Sequence, residues 1–350
     1  MRVLIVPSIG GPGILYYRCW IQALACPDVE WESFDVPQWA RGGILDIGAS
    51  GWLDKALARR YDAIYAPYCS NLERMLSVKV LKDKLGVPVV VDCDDLFTHL
   101  DETNQSFHIG HEASDCRRAW DGYFALADVL TTTTPTLAAA LPVPRGTPVR
   151  IVPNFVRPDD YDADRRPHDD VRIMFSGASG GHWREFEFLT PVLREIMAAY
   201  PQTKMVINGF LPADWLDIPR VYALRWCDVP AYFRLLRHVA PDIGLAPLVP
   251  TPFNAGKSGI KYYEYAMAGA AGIYADLDPY SEVRPGVTGL VVPPDPDAWR
   301  DALGRLIENA ALRGIIRDNA RADVLAHHTG PSALKPVIAS LCGNMAAVEG

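Results

Sequence analysis

Two lysines and a glutamate in the last third of the chain are spaced so that they could bind a phosphate. Residues 259–268 have the pattern of a helix that ends at Gly269, where glycine supplies a left-handed cap. Lys257, Lys261 and Glu264 would lie on one side of its first turns. Cations are unfavourable at a helix N-terminus, whereas anions are favoured there. The lysine pair therefore indicates a bound phosphate or diphosphate, with Glu264 placed to bind sugar hydroxyls; a solvated lysine pair is the alternative.

A second polar cluster, Asp92, Asp94 and Asp95, directly follows an apolar run at 87–91. Three carboxylates at the end of a strand repel one another unless something pairs with them. One interpretation is contact with a sugar or an acceptor, and another is capping of the next segment. A third is oxygen ligation of Mn²⁺ or Mg²⁺ together with a diphosphate. Spacing alone leaves all three open.

Histidines and aromatic residues give weaker indications. The polar stretch 98–114 contains three histidines and is long enough to be a lid over an acceptor, although surface histidines are the alternative. His182 follows the glycine-rich turn 176–181 at a predicted helix start, where its ring could reach a phosphate. Tyr222 and Trp226 could stack on a nucleotide base or lie in the core.

Composition and charge restrict the class of protein. The chain has 350 residues, of which 49% are hydrophobic and 22% charged, a globular balance that suits two domains. Its net charge of −8 argues against broad nucleic-acid binding, although arginine clusters leave room for a local basic patch. Seven cysteines without a CxxC pair indicate a reduced, cytoplasmic protein. We expect no signal peptide and no transmembrane segment, because the apolar runs are too short.

Strand and helix signals form two successive series. Each series opens with a strand and a glycine-rich turn, which predicts two doubly wound α/β domains. The runs that predict buried parallel strands are 2–6, 63–66, 87–92, 129–132 and 149–152, then 171–175, 204–208, 242–246 and 272–274. A polar, charged stretch at 158–170 separates the series. The expected domains are 1–160 and 161–330, followed by a tail, 331–350, that could pack back on the first domain.

Four groups of residues resemble the GT-B glycosyltransferases, nearest to the retaining family 4 enzymes that use nucleotide sugars. They are the glycine loop 10–13 with 16–18, the stretch 127–132 with 152–154, the turn 175–179, and the segment 257–269 followed by 286–292 and Trp299. The resemblance runs over most of the chain in the family's order. It implies an α/β GT-B fold, in which two doubly wound Rossmann-like domains face each other across a cleft.

The resemblance also implies roles for individual residues. Lys257 and Lys261 match the basic position that pairs with the donor diphosphate, and Glu264 matches the glutamate that holds the donor ribose. Two positions depart from the family: Gly256 replaces a first glutamate, and Asp94 stands where a histidine is common. The implied catalytic residues are Asp94, Lys261 and Glu264. The implied donor-binding residues are Gly11, Gly13, Arg18, Gly177, Ser179, His182, Lys257, Ser258, Lys261 and Glu264. The implied acceptor or sugar contacts are Tyr17, Asp92, Asp94 and Asp95.

The expected activity is transfer of a sugar from a nucleoside diphosphate sugar to a hydroxyl acceptor, with retention of the anomeric configuration. The acceptor would be a glycan, a small molecule or modified DNA. Because the lysines supply cationic partners for the diphosphate, we expect no metal or other cofactor to be required. Two alternatives stay open: a DNA-modifying glycosyltransferase, and a non-catalytic binding module on the same fold, which the absence of the first glutamate favours.

Overall fold

A computed structural model describes residues 1–9, 11–100, 102, 104, 107–111, 114–161, 167–178, 183–209, 211, 215, 218–224, 227 and 229–346. The chain divides into two compact units. The first comprises Met1–His99, His108–Asn154 and Pro331–Gly350, and the second comprises Leu100–Phe107 and Phe155–Gly330. Apart from the short stretch Leu100–Phe107, the chain enters the second unit at Phe155 and returns to the first at Pro331, so the C-terminal segment belongs with the N-terminal sheet.

A parallel sheet forms the centre of the first unit. Within the described residues it has seven strands in the order β3-β2-β1-β4-β5-β6-β7. The strands are β1 Arg2–Ile5, β2 Glu30–Ser33, β3 Ile44–Asp46, β4 Ala63–Pro67, β5 Val89–Cys93, β6 Val129–Thr132 and β7 Val149–Ile151. Strand order reverses direction on either side of β1, as in doubly wound folds, and such sheets bind ligands beyond the carboxyl ends of their strands.

Helices connect these strands and cover the sheet. They are α1 Pro12–Ile14, a π-helical segment Leu15–Trp20 and α2 Ile21–Leu24 in one continuous run, then α3 Trp52–Leu57, α4 Leu72–Leu85, α5 Phe107–Gly110, α6 Asp115–Leu126 and α7 Pro135–Ala140. Short 3₁₀ turns lie at Gln38–Ala40 and Phe97–His99. The amphipathic α6 buries Trp120, Tyr123 and Phe124, which shows why a helix forms where its sequence otherwise looks polar.

The second unit repeats this architecture with a parallel sheet in the order β10-β9-β8-β11-β12-β13. Its strands are β8 Val171–Ala178, β9 Thr203–Gly209, β10 Val221–Leu224, β11 Ile243–Ala246, β12 Ala271–Ala275 and β13 Leu290–Val292. Its helices are α8 Trp183–Ala199, α9 Val229–Val239, α10 Pro252–Ala255, α11 Ile260–Ala268, α12 Pro296–Glu308 and α13 Ala310–His327, with 3₁₀ turns at Pro158–Tyr161 and Asp278–Tyr280. The two sheets confirm the predicted α/β architecture with two Rossmann-like domains.

The last helix, α14 Leu334–Ala346, packs within the first unit. Leu334, Val337 and Ile338 belong to the same buried cluster as Val3 and Trp20. This apolar contact holds the end of the chain on the N-terminal sheet, because burying these side chains removes them from water. None of the helices among the described residues is both long enough and apolar enough to cross a membrane.

Candidate functional site

The start of α11 forms the centre of the candidate site in the second unit. Its N-cap is Gly259, which has no side chain to accept hydrogen bonds from the first N–H groups, and the first turn contains no acidic residue. A Cβ atom at Gly259 would lie 2.5 Å from the backbone oxygen of Pro279, so close packing requires glycine there. At the other end, Gly269 has φ 81° and ends the helix as predicted. The helix therefore begins with its positive dipole end unneutralised by its own side chains.

Lys261 and Glu264 form an ion pair on this helix. The Nζ atom of Lys261 lies 2.6 Å from Oε2 of Glu264. The lysine side chain is 25% exposed, whereas the glutamate side chain is only 4% exposed. Tyr232 on α9 donates a hydrogen bond of 3.0 Å to the same carboxylate oxygen, and its ring lies 5.0 Å from Nζ of Lys261. The carboxylate is thus buried with its partners, while the cation still reaches solvent.

Burial and the adjacent carboxylate keep Tyr232 in its protonated form. Burial, followed by the negative charge of Glu264, raises the pKa of Tyr232 well above its ordinary value. The same two causes raise the pKa of Tyr265, whose hydroxyl donates to the backbone oxygen of Leu245 and accepts from the backbone N–H of Ser176. Both phenols therefore act as hydrogen-bonding groups, and Tyr265 ties the carboxyl ends of β8 and β11 to α11.

Lys257 lies in the bend that connects the short helix α10 to α11. Its Nζ atom lies over the ring of Phe253 at 4.2 Å from the centroid, and its backbone N–H donates to the oxygen of Asn254. Thr251 caps this helix, α10, by accepting from the backbone N–H of Asn254. The lysine is half-buried. Local capping and a cation–π contact therefore place a second cation beside the start of α11.

Sequence reasoning missed a buried carboxylate that lies in this region. Glu185 is 3% exposed in the first turn of α8, and its Oε1 atom accepts from Nδ2 of Asn254 at 2.6 Å and from the backbone N–H of Val249. Burial, then Glu264 and Glu185, raise the pKa of Tyr280, so both carboxylates act on one phenol. The sequence contained one signal for Glu185, an acidic residue in the first turn of a helix that follows a glycine-rich stretch. Stabilisation of the helix N-terminus by a negative charge would explain the same residue.

Gly177 lies where the glycine-rich turn leaves β8. Its φ of 109° is a conformation that side chains disfavour, and the pairing of β8 with β9 shifts register between Ser176 and Ala178. The backbone therefore needs glycine at this position. Ser179 and His182, predicted as donor contacts, lie outside the described residues, as does Trp226. Tyr222 is 50% exposed on the edge strand β10.

In the first unit, Arg18 and Asp92 form a second ion pair that is completely buried. The Nε and Nη2 atoms of Arg18 donate to the two carboxylate oxygens of Asp92 at 2.8 and 2.6 Å. The Nη1 atom donates to the backbone oxygen of Val152 and to Oδ1 of Asn154, and Thr131 donates to Asp92. Burial alone would lower the pKa of the Arg18 guanidinium, but the charge of Asp92 raises it above its ordinary value.

In this geometry Arg18 and Asp92 have a structural role. Arg18 is 0% exposed and Asp92 is 2% exposed. Four of the five N–H groups of the guanidinium donate to protein atoms, which is the extensive hydrogen bonding that a buried ion pair requires. Within the acidic cluster, Asp92 is thus paired with the Arg18 guanidinium. Arg18 as a donor-binding residue and Asp92 as an acceptor contact therefore stay predictions without support from the side-chain geometry.

The remaining predicted residues of the first unit follow the carboxyl ends of β1 and β5. Tyr17 is buried, with its ring 4.9 Å from that of Tyr16. A Cβ atom at Gly11 or Gly13 would meet nothing within 4 Å, so packing within the chain does not require these glycines. Asp94 and Asp95 are half-buried. In the part of the chain that the structure describes, no three His, Cys, Asp or Glu side chains come together as a metal site.

Solved structures identify the architecture. The sequence matches no protein-family model and no curated protein. The structure is similar to HepE from Anabaena in complex with UDP-glucose, at 14% identity and a TM-score of 0.63 over 99% of each chain. The chain has the GT-B fold. It is also similar to sucrose-phosphate synthase from Thermosynechococcus elongatus, at 17% identity and a TM-score of 0.64 over 99% of this chain and 98% of that chain.

A third neighbour has the same GT-B fold. It is a glycosyltransferase from Rickettsia africae, at 11% identity and a TM-score of 0.61 over 94% of each chain. Fold similarity at such low identity carries no residue roles with it, since one fold hosts many functions.

Proposed function

We propose that the chain is a glycosyltransferase that moves a sugar from a nucleoside diphosphate sugar to a hydroxyl acceptor, with retention of configuration. The observation that carries this proposal is the start of α11, where Lys257 and Lys261 lie beside a helix N-terminus without an acidic residue in its first turn. Such an arrangement is unfavourable for the helix itself and favourable for a bound anion. The diphosphate of a nucleotide sugar matches this charge.

The lysines would stabilise the leaving diphosphate. As the bond between the sugar and the diphosphate breaks, negative charge accumulates on the phosphate oxygen that leaves. Two ammonium groups and the N–H groups of α11 are oriented before the reaction and would stabilise that charge. Because these groups already supply positive charge, the proposed mechanism does not require a metal ion.

Glu264 would hold the donor ribose. Its carboxylate is buried, yet its main cationic partner, Lys261, is a quarter exposed and can turn toward an incoming phosphate. A ribose diol could then donate to the carboxylate in place of the lysine, while Tyr232 keeps its hydrogen bond. One movement would thus form the phosphate contact and free a carboxylate oxygen for the sugar.

UDP is the first nucleoside diphosphate to test as part of the donor, since HepE was crystallised with UDP and with UDP-glucose. Calorimetry with UDP, GDP, ADP and TDP tests the donor site directly, and we expect one diphosphate to bind. Turnover is measured as release of that diphosphate from its sugar conjugates, with mixtures of oligosaccharides, small alcohols and DNA as acceptors. Binding without release in any mixture would favour the non-catalytic module, and absence of binding to every diphosphate would refute the proposal.

A further inference from the structure

The hydroxyl group of Tyr232 joins α9 to the buried carboxylate of Glu264. It donates to Oε2 of Glu264 at 3.0 Å. Tyr232 is 6% exposed and Glu264 is 3% exposed, so the bond is shielded from water. The carboxylate therefore has two partners of different kinds: Lys261, which lies on its own helix and reaches solvent, and a phenol that comes from another helix and is buried.

Two hydrogen-bond donors face the phenol oxygen of Tyr232. The first is Nζ of Lys261, at 3.5 Å. The second is the side chain of Ser176: burial and the charge of Glu264 raise the pKa of Tyr232, whereas a hydrogen bond from Ser176 lowers it, as a donor to the phenol oxygen does. A phenol has a single proton. Because its oxygen faces two donors, that proton is directed at Glu264.

Asn208 extends this row of polar groups into the sheet. It lies opposite Ser176 in the pairing of β9 with β8, and its Nδ2 atom donates to Oγ of Ser176 at 3.4 Å. Both side chains are buried. Protons are thus donated in one direction, from Asn208 through Ser176 and Tyr232 to Glu264. Hydrogen bonds that follow one another in this way polarise and strengthen each other.

The other end of the Asn208 amide explains why this direction matters. Among the described residues, its Oδ1 atom is buried and has no hydrogen-bond partner. Such an atom costs free energy and needs an explanation. If the amide were turned round, Oδ1 could accept the proton of Ser176, but Ser176 would then no longer donate to Tyr232. An unpartnered oxygen at Asn208 is therefore the consequence of keeping every proton directed toward Glu264.

We propose that Tyr232, supported by Ser176 and Asn208, is a positioning residue that holds Glu264 in place while the nucleotide binds. This inference rests on the proposed function, in which Lys261 turns from Glu264 to the diphosphate and a ribose diol takes its place. When the lysine turns away, the phenol still holds the carboxylate. A group that is fixed by supporting hydrogen bonds binds a ligand more selectively than one that can turn. Tyr232 thus determines how strongly the site prefers a nucleotide with ribose hydroxyls.

The test compares each nucleoside diphosphate with its 2′,3′-dideoxy form, which lacks both ribose hydroxyls. The probes are UDP, GDP and ADP, and binding to the full chain is measured by calorimetry. Base and diphosphate are common to the two forms, so the ratio of their affinities reports the ribose contact alone. We expect the wild type to prefer the ribose form of the nucleotide that it binds by about tenfold or more, as for hydrogen bonds to a charged group.

Tyr232→Phe removes the hydroxyl and keeps the aromatic ring beside Lys261. We expect it to lower the preference for ribose to about threefold or less. Loss of stability alone would weaken both forms equally and leave the ratio unchanged. Ser176→Ala removes the donor behind the phenol, while the backbone N–H of Ser176 keeps its bond to Tyr265. It should lower the ratio by about twofold, and it provides a second variant if Tyr232→Phe fails to fold.

Tyr262→Phe is the matched control. Tyr262 is a buried tyrosine of α11 itself, and its hydroxyl donates to Oδ2 of Asp323 at 2.6 Å. The substitution therefore removes the same kind of bond, from a phenol to a carboxylate, without touching the partners of Glu264. Its preference for ribose should equal that of the wild type.

A lower ratio in Tyr232→Phe together with a wild-type ratio in Tyr262→Phe supports the inference. Equal ratios in Tyr232→Phe and the wild type overturn it and leave the proposed function standing. A wild type that binds ribose and dideoxy forms equally overturns the inference and the role of Glu264, but not the phosphate site at Lys261. A wild type that binds none of the three ribonucleotides overturns the inference, and if TDP also fails to bind, the proposed function is refuted as well.

Discussion

Two ion pairs lie at the carboxyl edges of the two sheets, and they differ in how completely the fold encloses them. Arg18 and Asp92 in the first unit are both buried, and a backbone oxygen and the Asn154 side chain accept further hydrogen bonds from Arg18. Lys261 and Glu264 in the second unit combine a buried carboxylate with a cation that is a quarter exposed. The first pair is joined by two hydrogen bonds to one carboxylate, whereas the second is joined by one.

This difference separates a structural pair from one that a ligand can use. Breaking a buried pair leaves an uncompensated charge in the interior, so its members cannot exchange partners during a reaction. A partly exposed lysine such as Lys261 loses little when it turns to a phosphate, because solvent and the ligand compensate the change. The comparison therefore favours Lys261 and Glu264, and not Arg18 and Asp92, as groups that meet substrate.

The largest expected effect is on stability, from Arg18→Ala. The substitution leaves the buried Asp92 carboxylate without its cation, which should lower the free energy of unfolding by about 3–5 kcal/mol. Urea unfolding followed by circular dichroism measures the change. Lys79→Ala is the control, since Lys79 pairs with Asp83 on the surface and its loss should cost only about 0.3–0.5 kcal/mol. Similar losses in both variants would contradict the structural role of Arg18.

The next effect is on donor binding, from Lys261→Ala. Loss of one charge-assisted contact should weaken nucleoside diphosphate binding and lower turnover at least tenfold, about 1.4 kcal/mol or more. Calorimetry with the diphosphate measures it. Lys204→Ala removes a lysine of the same unit that pairs with Asp170 near the start of β9, and it should bind the diphosphate normally. Unchanged affinity in Lys261→Ala would remove the phosphate assignment.

A smaller effect is expected for Glu264→Gln. The amide keeps the shape and can still accept from Tyr232, so the free protein should lose far less stability than Arg18→Ala does. The neutral amide oxygen accepts hydrogen bonds from a ribose diol more weakly than the carboxylate does. The KM for the donor should therefore rise about fivefold while turnover drops. Glu187→Gln, on the exposed face of α8, is the control. Early melting with wild-type donor kinetics would show that Glu264 serves only the fold.

Chelation of metal ions by EDTA is expected to have no effect on turnover. Because the proposed mechanism uses lysines and a helix N-terminus in place of a cation, turnover should be the same with and without EDTA. Loss of activity in EDTA, restored by Mn²⁺ and not by Zn²⁺, would favour metal ligation by the acidic cluster. It would also show that a metal ion, and not Lys261 alone, carries positive charge to the diphosphate.

The sequence predicted the elements that bury apolar residues on both faces. The runs that became β1, β4, β5, β8 and β11 are largely apolar, and such strands occur in the middle of parallel sheets. It did not predict β2, whose residues Glu30-Trp31-Glu32-Ser33 alternate polar and apolar types at a position away from the centre of the sheet. Strand β2 pairs with both β1 and β3, and its buried Glu32 accepts a hydrogen bond from Tyr61, so long-range contacts stabilise a strand whose own sequence is half polar.

The sequence by itself was enough to predict the candidate phosphate site at the start of α11, because its residues are close together in the chain. Lys261 and Glu264 share the helix α11, where a spacing of three residues brings their side chains together. Lys257 lies close by in the chain, in the bend before that helix. The tertiary structure decided the partners that come from far along the chain. Arg18 meets Asp92 only because β1 and β5 belong to one sheet, and Glu185 meets Asn254 only because α8 and α10 follow neighbouring strands. Such long-range pairs have no periodicity in the sequence, since the folded backbone alone brings them within hydrogen-bonding distance.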